Sequence, residues 1–325
     1  MKIGVLGGGA WGTALAQVMA AGGHDVRIWA REPEVVAAIN AGHENPLFLP
    51  GVALSPAIEA SADLGWIGEV GLNLVVTPAQ HARAVLRDLP GHGQPLLLCS
   101  KGIEAGSHKL LSEVAAEEHP GSAVGVLSGP TFAGEVARGL PTAVTVAMDD
   151  AGAAERMAEA LALPTFRTYA SNDVIGAEIG GAVKNVLAIA CGVVEGAGLG
   201  QNARAALIAR GFAEMTRFGL ARGARAETLA GLSGLGDLVL TCSSTSSRNF
   251  SLGLGLGQGR SARELMADRR TVAEGAFTAP VLCAAAESAG VDMPVARAVA
   301  ALLDGAEVGA VIGTLLARPL TREHG

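Results

Sequence analysis

The sequence contains few aromatic residues and no excess of positive charge. Aromatic side chains make up only 3% of the 325 residues, whereas half of the residues are hydrophobic and 45 are glycine. This composition is typical of aliphatic α/β and helical packing rather than of an aromatic-rich all-β fold. The formal net charge of −7 argues against a nucleic-acid-binding surface, because such surfaces carry clustered Lys and Arg. The chain is long enough for two domains, each with its own core.

Patterns typical of membrane spans, metal sites and disulfides are also missing. No uncharged apolar run reaches the roughly 18–20 residues needed to cross a bilayer, and the sequence starts directly with MKIGVLGGG, so we expect no signal peptide. The four cysteines are far apart and form no metal-binding or redox pair. The histidines show no HExxH spacing. We therefore expect a cytoplasmic protein with free thiols, no metal and no transmembrane segment.

A glycine fingerprint stands near the start of the sequence. Residues 2–6 form an apolar strand and residues 13–21 have a helical pattern. Between them, Gly7, Gly9 and Gly12 fit the pattern G-x-G-x-x-G. In this pattern Gly7 allows a tight turn, Gly9 lets the backbone approach a pyrophosphate, and Gly12 permits close packing of helix on strand. Because a helix N-terminus faces the anion, this context favours dinucleotide binding over a glycine turn without a ligand.

The end of the second strand, predicted over residues 24–30, bears on the choice of cofactor. This position carries an acid when the ribose 2′-hydroxyl of NAD is to be held. Here Ala30 is followed by Arg31, and Glu32 lies one residue further on. Because an arginine suits a 2′-phosphate, we expect NADP(H) to be favoured over NAD(H). The alternative is an arginine that is merely solvated in a loop.

Further strands alternate with helical patterns in the first half of the chain. Apolar strands are predicted at 72–76, 95–99, 123–127 and 143–147, and helices between the earlier ones at 81–89 and 108–118. This alternation predicts a mainly parallel sheet with ligands at the carboxyl ends of its strands. Lys101 follows one such end, and Thr131, which we expect to cap a helix, follows another. Both segments also fit plain turns, but their common position favours ligand contact.

Strand patterns almost stop after residue 171. Helices are predicted around residues 173–195, 202–220, 226–231, 261–267, 275–289 and 294–316. We therefore predict an α/β dinucleotide-binding domain at residues 1–170 and an all-helical domain at residues 171–325.

Lys184 is the only cation in the apolar run of residues 172–195. Its helical neighbours at i−4 and i−3 are Gly180 and Gly181. Each glycine weakens a helix by roughly 1 kcal/mol relative to alanine, which indicates that another group approaches this face closely. The alternative is a lysine that snorkels along an apolar surface to reach water.

Two segments between the predicted helices are glycine-rich or polar. Residues 231–237 place Asp237 after a glycine-rich loop, and residues 242–249 (CSSTSSRN) combine hydroxyls with Arg248 and Asn249. These are ingredients of a phosphate site, although a solvated Ser-rich linker fits the second segment equally well. Residues 253–257 (GLGLG) resemble a nucleotide loop, but no strand precedes them, so we reject a second nucleotide site there.

Taken together, these motifs resemble one family closely, the bacterial NAD(P)-dependent glycerol-3-phosphate dehydrogenases. The matching segments are GGGAWGTALA at the start, NPLFLPGV from 45, SKGIE from 100, SGPTFAGEV from 128, GAEIGGAVKNVLAIACG from 176, GQNARAALIARGFAEM from 200, GLSGLGDLVLTC from 231, SSRN from 246 and VAEG from 272. Several long motifs in one order are far more specific than a glycine fingerprint. The resemblance implies a Rossmann-type domain followed by an all-helical domain of the 6-phosphogluconate-dehydrogenase-like class.

The resemblance also implies an activity and a set of site residues. The activity is hydride transfer between NAD(P)H and the C2 carbonyl of dihydroxyacetone phosphate, giving sn-glycerol 3-phosphate for glycerophospholipid synthesis. Lys184 is implied as the catalytic residue that donates a proton to the developing alkoxide. The implied substrate-binding positions are Lys101, Gly129, Thr131, Lys184, Asp237, Ser247, Arg248 and Asn249. The cofactor-binding positions, including the fingerprint, are Gly7, Gly9, Ala10, Trp11, Gly12, Arg31, Lys101, Ala133, Arg248, Val272 and Glu274.

The chemistry of these residue types agrees with the implied roles. A free lysine has a pKa near 10.4, and burial of Lys184 would lower that pKa towards the range in which general acid–base catalysis is effective. Lys101 is expected to pair with the substrate, and Asp237 to orient the active ammonium.

The sequence departs from the family pattern at three places. Thr131 stands where a serine is usual, which keeps the hydroxyl. Phe250 stands where a basic residue is common, and residues 76–80 (VTPAQ) replace the usual Val-Pro-Ser-Gln version. None of these departures removes a catalytic group.

Two other functions are open at this stage. A ketopantoate or β-hydroxyacid reductase would share the glycine fingerprint and a lysine on a helical domain, but it does not predict SKGIE, GLGDLVLTC and SSRN together. A non-catalytic NADP-binding sensor would tolerate loss of Lys184 or Lys101, and both are present. The apolar helical domain makes a homodimer the expected assembly.

Overall fold

The computed structural model describes residues 1–267 and 273–319. The chain divides into two compact units. The sheet unit comprises Met1–Gly181 and Gly223–Asp237, and the helical unit comprises Ala182–Arg222 and the described part of Leu238–Gly325. The predicted division into residues 1–170 and 171–325 stays a prediction.

The sheet unit contains all the strands that lie in the described residues. They are β1 (Lys2–Leu6), β2 (Asp25–Trp29), β3 (Glu44–Asn45), β4 (Leu49–Ala53), β5 (Ile58–Ser61), β6 (Leu72–Val75), β7 (Leu96–Leu98), β8 (Val124–Ser128), β9 (Thr142–Met148) and β10 (Phe166–Ser171). Eight of them form one sheet in the order β10-β9-β8-β7-β6-β1-β2-β5, and β3 pairs with β4 separately. Only β8 and β9 are antiparallel neighbours in the large sheet, so the predicted mainly parallel sheet is confirmed.

The large sheet is buried on both faces. Ile3 and Val5 of β1 lie in the core on one face, whereas Leu6 lies in the core on the other. Leu97 and Leu98 of β7 divide between the two cores in the same way. Successive side chains of a strand point to opposite faces, so a strand of consecutive aliphatic residues requires a cover of helices on both sides.

Helices cover these faces and follow the strands. They are α1 (Ala10–Ala21), α2 (Pro33–Gly42), α3 (Ala79–Asp88), α4 (Leu111–Glu118), α5 (Ala133–Ala137) and α6 (Ala151–Leu161). The predicted capping role of Thr131 is wrong. The α5 helix is preceded by Phe132 without a side-chain cap, and the Thr131 hydroxyl instead donates to the Gly129 carbonyl oxygen at 3.3 Å. The reason is that Phe132, and not Thr131, occupies the N-cap position of this helix.

The rest of the described chain is helical. The helices are α7 (Val174–Gly196), α8 (Gly200–Ala221), α9 (Ala226–Ala230), α10 (Asp237–Thr241), α11 (Arg248–Gly257), α12 (Ala262–Leu265), α13 (Glu274–Ser288), α14 (Pro294–Leu303) and α15 (Val308–Leu316), with a π-helical turn at Leu232–Gly236. The single helix predicted over residues 294–316 is wrong, because the chain breaks it between Leu303 and Val308. Gly305 there has a φ of +98°, which a helix does not allow.

The α7 helix is long and apolar enough to cross a membrane by length and composition. However, 94% of its most apolar window is buried inside the protein. A core helix of a globular protein passes the same test, and the burial is that of a core helix.

Candidate cofactor and catalytic sites

The glycine loop (residues 7–9) connects β1 to α1. Gly7 has a φ of +130°, in the region that favours glycine, and its N–H donates to the Trp29 carbonyl oxygen at 2.9 Å. A Cβ on Gly12 would lie 1.9 Å from the Gly7 carbonyl oxygen, so helix and loop could not approach as they do. A Cβ on Gly9 would meet no protein atom within 4 Å. Two of the glycines are therefore required by the fold, and the third leaves space in front of the helix N-terminus.

An open helix N-terminus after a glycine loop is the place where Rossmann-type domains hold the pyrophosphate of a dinucleotide. Gly9 is the N-cap residue of α1 and has no side chain, so the unpaired N–H groups of the first turn are accessible to an anion. Trp11, one of the predicted cofactor contacts, has a buried indole N–H without an acceptor in the described part of the chain. Ala10 is the first residue of α1, and Ala133 is the first residue of α5, a helix that packs against α1. These predicted cofactor positions thus lie on α1 or at the start of the helix that packs against it.

Arg31 and Glu32 follow the strand β2, next to the glycine loop. Their side chains form an ion pair with 3.0 Å between Arg31 Nη2 and Glu32 Oε1. The guanidinium is largely exposed, so it is accessible to a ligand. The predicted contact of Arg31 with a 2′-phosphate stays a prediction.

The loops after β6 and β7 leave the same edge of the sheet and are bonded to each other. The Ser100 hydroxyl lies 3.1 Å from the Val75 carbonyl oxygen and also close to that of Thr77. Because β1, β6, β7 and β8 are parallel neighbours, their carboxyl ends lie together at one edge, as expected for a ligand-binding crevice.

Lys101 forms a partly buried ion pair with Asp237 at that edge. The Lys101 Nζ lies 2.6 Å from Asp237 Oδ2, and the Asp237 side chain is completely buried. The Lys101 ammonium also donates to the Gly129 carbonyl oxygen at 3.4 Å. Gly129 must be glycine for the fold, since a Cβ there would lie 2.9 Å from the Ala143 carbonyl oxygen. Three of the predicted substrate-binding residues of the sheet unit are thus in contact, including a pair that the sequence did not predict.

The two glycines that precede Lys184 on α7 each face a close neighbour within the sheet unit. A Cβ on Gly180 would lie 2.3 Å from the Ser233 carbonyl oxygen, and one on Gly181 would lie 3.2 Å from Lys101 Cγ. The interpretation that these glycines allow another group to approach is confirmed. For Gly181 the approaching group is the side chain of a predicted site residue.

Ser128 is a candidate that the sequence reasoning did not single out. It is the last residue of β8, next to Gly129, and its Oγ would lie 3.3 Å from a Cβ on Gly181. The hydroxyl is buried and has no hydrogen-bond partner in the described part of the chain. Its position after an apolar strand resembled an ordinary turn residue, so the sequence offered only a weak signal.

In the helical unit, Lys184 is buried, with 6% of the residue exposed. Its Nζ donates to the Thr241 hydroxyl at 3.1 Å, and Thr241 is itself buried. The snorkelling alternative for Lys184 is wrong, because a snorkelling ammonium would reach water. The sequence reasoning also missed Thr241. The only signal for it was a hydroxyl within the apolar segment LVLTC after Asp237.

The other predicted residues of the helical unit lie around the N-termini of α11 and α13. Ser247 caps α11 by accepting the Phe250 N–H at 3.2 Å, and Arg248, the first helical residue, is exposed. Asn249 is buried. It donates to Asn185 Oδ1 at 3.0 Å and accepts the Gly275 N–H at 2.9 Å. The hydroxyl-rich segment therefore leads into a capped helix that presents an arginine, which is more than a solvated linker.

Two predicted cofactor contacts lie at or near the start of α13. Glu274, the first residue of that helix, is half-buried. Val272 lies outside the described residues. Within residues 1–267 and 273–319, no three His, Cys, Asp or Glu side chains are grouped in a way that could hold a metal ion.

Comparison with known proteins identifies the family. The model of the NAD-dependent glycerol-3-phosphate dehydrogenase N-terminus matches residues 2–154, and that of the C-terminus matches residues 173–311. The chain is 63% identical over 323 residues to a glycerol-3-phosphate dehydrogenase (NAD(P)+) of Erythrobacter litoralis, covering 99% of this chain and 98% of that one. The crystal structure of glycerol-3-phosphate dehydrogenase from Coxiella burnetii is 38% identical with a TM-score of 0.93, covering 98% of this chain and 99% of that one.

A more distant likeness concerns the fold alone. A ketopantoate reductase from Ralstonia eutropha is 17% identical with a TM-score of 0.63, covering 97% of this chain and all of that one. The predicted family and the predicted fold class are both confirmed by these similarities.

Proposed function

This chain belongs to the NAD-dependent glycerol-3-phosphate dehydrogenase family, and from that premise we propose that it reduces dihydroxyacetone phosphate reversibly to sn-glycerol 3-phosphate with NAD(P)H. The observation that carries the proposal is the buried Lys184 ammonium with its hydrogen bond to Thr241. A lysine held in this way is a proton donor of fixed position. Such a donor is what the reduction of a carbonyl requires.

The sheet unit is proposed to bind the cofactor, which supplies the hydride when it is bound. Gly9 leaves space for a pyrophosphate at the N-terminus of α1, and the buried Trp11 N–H lacks an acceptor in the described residues. Arg31 is accessible to a 2′-phosphate, so NADPH is proposed as the favoured cofactor. Val272 and Glu274 are proposed as further contacts on the basis of the family.

Lys184 is proposed to donate its proton to the alkoxide that forms at C2, and to accept it in the reverse direction. The Thr241 hydroxyl accepts a hydrogen bond from the ammonium and so restricts the directions in which Lys184 can donate.

The substrate phosphate is proposed to bind Arg248, with Ser247 and Asn249 at the same helix N-terminus. A guanidinium offers two parallel donors to a phosphate, and the α11 N-terminus adds a favourable partial positive charge. In the sheet unit, Lys101, Gly129, Thr131 and Asp237 are proposed to contact the substrate. The ion pair with Asp237 holds the Lys101 ammonium in one place.

Three broader statements are proposals as well. A homodimer is proposed because the helical unit is strongly apolar. A cytoplasmic location is proposed on the basis of the family. The product is proposed to supply glycerophospholipid synthesis, on the basis of the family.

The decisive experiment measures NADPH oxidation by the purified protein when dihydroxyacetone phosphate is added, for the wild type and Lys184→Met. Methionine keeps much of the side-chain volume but removes the ammonium. We expect kcat to fall about 10²–10⁴-fold, the usual contribution of a positioned general acid, while the dissociation constant for NADPH stays unchanged. The matched control is Lys109→Met, which removes a half-exposed lysine from the surface of the sheet unit and should leave kcat unchanged.

The same assay separates the proposal from its competitors. Oxidation of NADPH with ketopantoate but not with dihydroxyacetone phosphate would identify the other reductase class. Binding of NADPH without oxidation by either substrate would identify a sensor. Near-normal turnover in Lys184→Met would remove Lys184 from the mechanism.

A further inference from the structure

Lys101 lies in an irregular segment of the chain, residues 99–110, which we call the Lys101 loop. It connects β7 to α4, and over this range the chain forms neither a helix nor a strand. The Lys101 ammonium is bonded to Asp237 and to the Gly129 carbonyl oxygen. A lysine side chain has many rotamers, so it keeps its tip in one place only if its backbone is fixed as well. The position of the ammonium therefore depends on what fixes the loop.

The α3 helix fixes the backbone of the Lys101 loop through Gln80. The side-chain nitrogen of Gln80 donates to the Ile103 carbonyl oxygen at 2.9 Å, and its side-chain oxygen accepts the Ala105 N–H at 2.9 Å. A glutamine amide offers a donor and an acceptor at once. One side chain thus satisfies backbone groups on both sides of residue 104.

Arg83 lies three positions after Gln80 and therefore on the same face of α3. Its guanidinium binds Glu104 through two parallel hydrogen bonds, Nε to Oε1 and Nη2 to Oε2, each of 2.8 Å. Such paired bonds fix geometry as well as distance. The side chains are only 25% and 14% exposed, so salt screens this pair less than an exposed one. Arg83 also binds Glu118 of α4 at 2.7 Å, and so connects the loop with two helices.

The Arg83 hydrogen bonds also keep Glu104 charged. They hold the pKa of the Glu104 carboxyl below its ordinary value, so the carboxylate is ionised at neutral pH. Three successive residues of the loop, 103–105, are therefore attached to one face of α3.

We propose that Gln80 and Arg83 are positioning residues that hold the Lys101 ammonium where it contacts the substrate. The inference rests on the proposed function, in which Lys101 is a substrate contact. Both residues act through the loop, at positions two to four residues after Lys101. Such a role affects activity because a misplacement of about 1 Å at a site can cost about 100-fold in rate. The alternative is that the two residues only stabilise the fold.

The test measures kcat and the KM for dihydroxyacetone phosphate at saturating NADPH, for the wild type and Arg83→Gln. We expect KM to rise about tenfold while kcat stays within about twofold, because a misplaced Lys101 weakens substrate and transition state alike. Gln80→Leu should raise KM about threefold, the usual effect of losing a neutral hydrogen bond. Since Gln80 is exposed, this second variant still tests the inference if Arg83→Gln does not fold.

The matched control is Arg87→Gln, which removes an arginine one turn further along α3. Arg87 pairs with Glu118 of α4 at 3.5 Å, so its removal should change KM by less than twofold. A second measurement repeats Arg83→Gln in a Lys101→Met background. There it should change kcat/KM by less than twofold, because no ammonium is left to position. A residue that only stabilises the fold would lower kcat/KM equally in both backgrounds.

Amide hydrogen exchange of residues 100–110 supplies a readout that needs no activity. We expect exchange in this segment to become about tenfold faster in Arg83→Gln, since the loop opens more often, and to stay unchanged in Arg87→Gln.

The inference is overturned if a folded Arg83→Gln or Gln80→Leu keeps KM within twofold of the wild type. Equal losses of kcat/KM in the two backgrounds, or unchanged exchange in Arg83→Gln, also overturn it. Failure of the proposed function has a different signature. In that case the wild type does not oxidise NADPH in the presence of dihydroxyacetone phosphate, while exchange in the Lys101 loop still responds to Arg83→Gln.

Discussion

The sheet unit and the helical unit each contain a glycine-rich stretch, GGGAWG at residues 7–12 and GLGLG at residues 253–257. In the first, Gly9 faces open space in front of a helix N-terminus. In the second, every glycine lies inside α11 and none faces open space. A Cβ on Gly253 would lie 1.9 Å from the Ile189 carbonyl oxygen, and one on Gly257 would lie 2.4 Å from that of Val193.

The packing of α7 against α11 uses glycine on both helices. A Cβ on Gly192 of α7 would lie 2.1 Å from the Phe250 carbonyl oxygen, and one on Gly196 would lie 2.2 Å from that of Leu254. The two backbones are therefore in direct contact. The comparison shows that glycine serves close approach in both units. In the helical unit the approaching group is another helix, and in the sheet unit the place of a Cβ on Gly9 is open.

Gly253→Ala should have the largest effect, because it inserts a methyl group between two helix backbones. We expect a loss of about 3 kcal/mol in the free energy of unfolding, since backbone atoms cannot move aside as a side chain can. Denaturant titration measures this loss. A loss below about 1 kcal/mol would show that the helices can separate without cost and would break the comparison.

Glu214→Gln tests how the helical unit satisfies a helix end. The Glu214 carboxylate accepts the Val295 N–H at 2.8 Å and the Ala296 N–H at 3.3 Å, and burial raises its pKa from 4.5 to about 7. The folded state then binds the proton more tightly than the unfolded state, so the free energy of unfolding should fall as pH rises from about 4.5 to about 7.

In Glu214→Gln, we expect the fall in the free energy of unfolding over this pH range to be smaller than in the wild type by about 2–3 kcal/mol. Denaturant titration at several pH values measures this difference. The exposed Glu287→Gln serves as the control.

Glu178→Gln gives the matching measurement in the sheet unit. There burial likewise raises the pKa to about 7, and the carboxylate accepts the Ser112 N–H at 3.0 Å. An unchanged slope in both variants would contradict the expectation.

Gly9→Ala should leave the fold intact and weaken cofactor binding. No protein atom lies within 4 Å of the added methyl group, so we expect the free energy of unfolding to stay within about 0.5 kcal/mol. The methyl group would occupy the space assigned to the pyrophosphate. NADPH affinity should therefore fall about tenfold or more in a fluorescence titration. Unchanged affinity would mean that the pyrophosphate lies elsewhere.

Gly313→Ala should have the smallest effect and the opposite sign. Gly313 lies in α15 with no atom within 4 Å of an added Cβ. Alanine is the better helix former, so we expect a gain of about 0.5–1 kcal/mol in the free energy of unfolding. Thermal unfolding detects such a gain. A loss of stability would show that this helix face has a neighbour that it must approach closely.

Much of the sheet unit could be predicted from local patterns. The strands β1, β6, β7 and β8 were predicted within about two residues, because buried parallel strands are short apolar runs. The strands β5 and β10 were not predicted, since Ile58–Ser61 and Phe166–Ser171 mix polar and apolar residues at the sheet edges. An edge strand has one neighbour and one exposed side, so its sequence is less constrained.

The site shows the same limit. The residues Lys101, Asp237 and Lys184 stood out because charged side chains are rare in apolar or glycine-rich surroundings. Thr241 and Ser128 did not, because a hydroxyl beside an apolar segment is common. These two residues are recognised as site candidates only by their burial in the structure and, for Thr241, by its hydrogen bond with the Lys184 ammonium.

The sequence by itself determined the family and the glycine fingerprint and singled out Lys184 as the proposed proton donor, since each depends on residue types in a fixed local order. Tertiary structure alone decided which polar groups are partners. Lys101 and Asp237 lie 136 residues apart and meet at 2.6 Å. It also decided what each glycine is for, because a missing side chain has meaning only through the group that occupies its place. The chain brings that group from a distant segment, or leaves the place open.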